Sequence, residues 1–126
     1  MGPTSFTDVE RDALNGLLGL YERERTMYAE VLELTRNQVV SVRAGKDLED
    51  IRGIFERKRR MLDMIANMET GFEEAKAVWE RLRYAPEDEL TRRIKDCLRQ
   101  LGATIEEVLN LEAETDRLFM AVAEAV

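Results

Sequence analysis

The chain has no histidine, one cysteine and two prolines in 126 residues. Without histidine it lacks the commonest metal ligand and general base. Cys97 alone cannot close an internal disulfide, and a lone thiol suits a reducing compartment. No apolar run approaches the roughly 20 residues that span a bilayer, and no secretory signal is visible at the start. A soluble cytoplasmic protein without membrane insertion is therefore expected. There is no phosphate-binding glycine loop, metal-ligand cluster or activated nucleophile, so no cofactor, no metal, no catalytic residue and no enzyme activity are expected.

What is abundant is charge and regularly spaced aliphatic residues. Apolar residues make up 44% and charged residues 36%, a mixture typical of helical bundles and coiled coils rather than sheets. The net charge of −7 is concentrated late in the chain. Residues 85–126 hold 10 acidic against 5 basic side chains, while the first two thirds are nearly balanced. Nucleic acid is an unsuitable partner for that acidic segment.

Thr7 with Glu10 three residues later reads as a capping box opening the first helix. From there Leu14, Leu18, Tyr21, Arg25, Tyr28, Leu32, Thr35, Val39 and Val42 recur in steps of four and three, the spacing of a coiled-coil seam. A second row, Leu17, Leu20, Met27, Val31 and Leu34, widens the face enough to need a third helix. Gly16 and Gly19 inside this helix read as close approach or as a hinge. Gly45 can end the helix in the left-handed conformation, and Asp47 can cap the next.

An antiparallel fold-back at that turn pairs Val42 with Leu48, Val39 with Ile51, Tyr21 with Glu69 and Leu14 with Lys76. The second helix is expected to run unbroken, with Ile54, Met61, Met68, Ala75 and Leu82 facing the third. Arg25, Lys58, Glu69 and Lys76 interrupt the seam. The first three are expected to set register, Arg25 approaching Glu69 and Lys58 approaching Glu33 or Glu30. The run Arg57, Lys58, Arg59 and Arg60 spreads around the helix as a solvated face.

Tyr84-Ala85-Pro86 ends this helix and places Pro86 at the start of the third. The third stripe stays in phase across Gly102, which favours one continuous helix over a break there. Leu109, Leu111, Leu118, Met120 and Val122 then fan out beyond the stripe. This end either packs near Leu14–Leu18 and Phe72–Trp79 or offers a surface to an amphipathic partner helix. The expected fold is all-α: a single domain, residues 1–126, with helices at about 7–44, 47–84 and 86–124. Two long helices form an antiparallel hairpin and a third completes a coiled-coil-like three-helix bundle.

Residues Tyr28 to Met68 carry a likeness. The long helix, the Ala44-Gly45-Lys46-Asp47-Leu48 turn, the spacing Leu48, Ile51, Phe55, Lys58, Leu62 and the run Lys58-Arg59-Arg60-Met61-Leu62 resemble flagellar export chaperones of the FlgN type and the related FliT type. Lys46 is an extra residue in the turn, and the family's Asn-rich motif near the closing helix is present only as Asn110-Leu111-Glu112. The resemblance implies a cytoplasmic chaperone that binds the C-terminal helical segment of hook-filament junction proteins and delivers them to the flagellar type III export apparatus. The client groove would be lined by Leu109, Leu111, Leu118, Phe119 and Val122. A self-associating structural or adaptor bundle without a client, for example a homodimer, is the alternative.

Overall fold

The computed structural model describes residues 6–85 and 88–125. These form four helices, α1 (Asp8–Arg43), α2 (Leu48–Met68), α3 (Glu73–Leu82) and α4 (Glu89–Ala125), with no strand among the described residues. α1 opens on the expected box. Thr7 Oγ1 accepts from the Glu10 amide at 3.0 Å, and Glu10 Oε1 accepts from the Thr7 amide at 2.9 Å. At its other end Gly45 has φ 68°, and the Lys46 amide reaches back to the Ser41 carbonyl at 3.0 Å. The left-handed glycine thus satisfies carbonyls that the helix end would leave bare. Asp47 holds the N-cap position of α2, but through its backbone carbonyl; its side chain makes no capping bond.

The unbroken helix expected over 47–84 does not form. Residues Glu69–Phe72 are an elbow separating α2 from α3, with Gly71 at φ 92° and its amide donating to Glu73 Oε2 at 3.1 Å. The apolar stripe keeps its phase across this elbow, since Ile65 before it and Trp79 after it are both buried. Periodicity therefore gave no sign of the interruption. Gly102, by contrast, lies within an unbroken α4. That helix starts at Glu89, capped by Asp88, whose Oδ1 accepts from the Thr91 amide while Thr91 Oγ1 accepts from the Asp88 amide. The position expected for Pro86 lies outside the described residues.

α1 is the common support: α2, α3 and α4 each pack on it. Contacts between α1 and α4 join residues 71 to 77 apart all along their length, from Arg11–Asp88 through Arg25–Gln100 to Arg36–Glu107, so these two run parallel. α2 and α3 run the other way, Gln38 meeting Lys58 and Glu10 meeting Arg81. The end of α4 therefore lies beside the end of α1 and the start of α2, away from Leu14–Leu18 and Phe72–Trp79, where one expectation put it.

The main apolar core is where α1, α3 and α4 converge. Leu14, Leu17, Leu18, Leu20, Tyr21, Trp79, Leu90, Ile94, Cys97 and Leu101 are buried there, each large aliphatic contributing about 1.5–3 kcal/mol. Burial also raises the pKa of the Cys97 thiol, which favours its neutral, unreactive form. Along α2 the seam is narrower than expected. Ile51, Lys58 and Ile65, seven apart, are buried, whereas Leu48 is 76% exposed and is no partner for the buried Val42. Within α2 the neighbouring rows also fall on the opposite sides from those expected, while Met68, Ala75 and Leu82 pack as expected on the core shared with α4. Phe55 meets Phe119 of α4, and Met61 lines an outer cleft with Met27 of α1. Helical spacing identifies the rows, but nothing in it says from which side the last helix arrives.

Candidate functional site

In the half of the molecule beyond the apolar core, α2 and α4 are held apart: among the described residues no Cα of one comes within 8 Å of the other. The interval is bridged by side chains. Gln38 of α1, fully buried, points its amide into it. Lys58 Nζ donates to Gln38 Oε1 at 2.9 Å, and Gln38 Nε2 donates to Thr115 Oγ1 at 2.9 Å and Glu112 Oε2 at 3.1 Å. Lys58 also forms an ion pair with Glu112. Thr115 Oγ1 passes its own proton back to the Leu111 carbonyl at 3.1 Å, and Thr35 does the same to Val31 at 2.7 Å. Donors and acceptors are matched around the cluster, as a buried polar group requires.

Burial pushes the Lys58 ammonium down to about 8, while the adjoining Glu112 carboxylate favours the charged form. Its aliphatic stem passes Phe55, with Nζ 6.0 Å from the ring centroid. Phe55 in turn meets Phe119 at 6.4 Å between centroids, tilted by 40°. Above the polar cluster there is thus an apolar lip on each side. Leu48, Phe55 and Leu62 line up at seven-residue spacing on α2, and Phe119 and Val122 continue the Thr115 row on α4. Phe55, Leu62 and Val122 are 38%, 39% and 58% exposed, so the lips are partly open to solvent on either side of the Phe55–Phe119 contact.

The residues singled out in the sequence separate into several places. Of the five apolar ones, Phe119 and Val122 border the cleft. Leu111 and Leu118 are half-buried and share a flank of α4 with Glu107 and Glu114, which bond Arg36 and Arg43 of α1. Leu109 points outward, 62% exposed. Of the three polar ones, only Lys58 is buried. Arg25 lies exposed and donates to Gln100 Oε1 of α4 at 2.6 Å instead of approaching Glu69. Lys58 meets neither Glu30 nor Glu33. Gln38 and Thr115 were overlooked as its company because an uncharged polar residue near a seam reads as an interruption rather than as a bonding group.

Glu69 belongs to a second polar group, at the elbow. It pairs with Lys76 of α3 at 3.0 Å and shares a hydrogen bond with Glu24 of α1. Glu24 is only 4% exposed, and its Oε1 has no partner among the described residues. Burial, then the facing Glu69, raises the Glu24 carboxyl to about 7 from an ordinary 4.5. Glu69 moves the other way, held down by the bond from Glu24 and by Lys76. Glu24 therefore keeps its proton to a higher pH than an ordinary carboxyl, beside a Glu69 that stays ionised.

Among the described residues no set of three or more acidic or cysteine side chains converges as a metal site, and no helix is long and apolar enough to cross a membrane. No protein-family model matches the chain, and neither a curated protein nor a solved structure shows significant similarity to it.

Proposed function

We propose that this is a cytoplasmic chaperone of the FlgN type, a non-enzymatic carrier of the C-terminal helical segment of hook-filament junction proteins to the flagellar type III export apparatus. In this reading α1 with α2 and α3 is the helical hairpin of that family, bent at its elbow, and α4 is the closing helix. The observation that supports it is the splayed arrangement of α2 and α4, with Phe55 meeting Phe119 above a polar floor and Leu62 and Val122 partly exposed farther along their helices. A carrier must hide the apolar stripe of a helix that would otherwise aggregate, yet release it later. A shallow apolar cleft over bonded polar groups suits that requirement: the lips supply contact area, and the floor stays satisfied when the cleft is empty.

Leu111 and Leu118 stand on the neighbouring flank of the same helix, and the acids of α4 set the client's orientation. The test is calorimetry of the whole chain against C-terminal peptides of junction proteins. Binding is expected, and Phe119→Ala with Val122→Glu should weaken it at least tenfold. Undiminished binding by a chain ending at Asn110 would remove the site from α4.

A further inference from the structure

A second surface lies on the outer side of α1 and α2. Two clefts of about 450 and 510 Å³ run along the outer seam of α1 and α2, lined by these two helices alone. They share Glu30 and Arg57 and so form one groove. Its floor is methionine-rich, Met27, Met61 and Met64 with Leu34, and Met64 is 56% exposed. Methionine floors adapt to the helix laid on them. Arg57 and Arg60 stand on the α2 rim, and among the described residues neither has an ion-pair partner.

The outer face of α4 has the matching character. At 100° per residue Leu109, Ala113, Asp116 and Met120 fall on one side, with Glu106 next to them. Leu109 and Met120 are each 62% exposed, and Glu106 and Asp116 also lack ion-pair partners among the described residues. The lengths agree. The groove extends from Thr26 to Asn37 on α1 and the face from Leu109 to Met120, about 16 Å in each case.

We propose that the Leu109–Met120 face of one copy docks in the α1–α2 groove of a second, with Glu106 and Asp116 meeting Arg57 and Arg60. The acids of α4 then oppose a basic rim on a chain whose net charge of −7 otherwise keeps copies apart. Such an association weakens as salt rises.

Light scattering across a concentration series is the test. The mass should rise above the 14.6 kDa of one chain, and less so at high salt. R57E/R60E and E106R/D116R, both confirmed folded by circular dichroism, should each lose at least tenfold in self-association. Mixing the two variants should restore it, because each then offers a complementary surface. A chain that stays at 14.6 kDa into the millimolar range, reversals without effect, or a mixture that fails to associate would each overturn the proposal.

Discussion

Gln38 receives Lys58 on its carbonyl side and serves α4 from its amide side, so one α1 side chain connects two helices whose backbones do not meet. The polarity of the Gln38 amide follows from this arrangement. Its oxygen must face the ammonium, and its nitrogen must face Glu112 and Thr115.

Removing the cation strands its acceptors. Lys58→Met should destabilise the chain by about 2–3 kcal/mol in urea unfolding, the Gln38 oxygen and Glu112 both losing their donor. Because Glu112 is one third exposed, the loss sits below the upper range for buried pairs. Adding Glu112→Leu should recover part of it, a coupling of about 1 kcal/mol or more. Strict additivity would show that the bridge contributes nothing.

The raised carboxyl of Glu24 beside the elbow gives stability a definite slope with pH. Glu24 titrates near 7 when folded and near 4.5 when unfolded, so between these values the folded chain holds the extra proton and stability falls as pH rises. Glu69, shifted down, loses its contribution only below about 4.5, and Lys58, near 8, acts only above neutrality. With no histidine in the chain the interval is otherwise quiet. The Tm should be on the order of 5 °C higher at pH 5 than at pH 7.5. Glu24→Gln should flatten this difference, and an unchanged slope in that variant would assign it elsewhere.

Glycines at different positions should respond with opposite sign. Gly45 and Gly71 have φ of 68° and 92°, and alanine at either should cost about 1 kcal/mol or more. Gly53 and Gly102 lie inside helices with open space where a methyl group would go. Alanine at either should add about 0.5–1 kcal/mol. Thermal denaturation of the four single variants decides the matter, and a uniform sign would contradict the placement of the two turns.

Burial separates two leucines that periodicity treats alike. Leu20→Ala, at a fully buried core position, should cost about 2–5 kcal/mol, and Leu48→Ala, 76% exposed, less than about 0.5. Comparable losses at both sites would require α2 to lie closer to α1 than it does.

The all-helical character, the Thr7 cap and the Gly45 turn were legible because each is local: a spacing, a box, a single left-handed residue. The elbow was not, although Thr70-Gly71 marks it, because Ile65 and Trp79 keep the same face on either side. The polar floor was half legible. Lys58 stood out as a charge in an apolar row, but its partners are Gln38 of α1 and Glu112 of α4, and the register of α4 against α2 follows largely from the packing of both on α1. The same gap concealed the side from which α4 arrives, and with it the meeting of Phe55 and Phe119.

Since α1 supports the other three helices, and its longest neighbour α4 follows them in the sequence, completion of the core waits until α4 has been made. Pairs such as Arg36 and Glu107 are separated by 71 positions, distant for a helical protein, and local turns can do little to hasten their meeting. On a ribosome, α1 therefore has its leucines only partly covered, by α2 and α3, until translation passes Leu101, an interval in which the newborn chain itself needs protection.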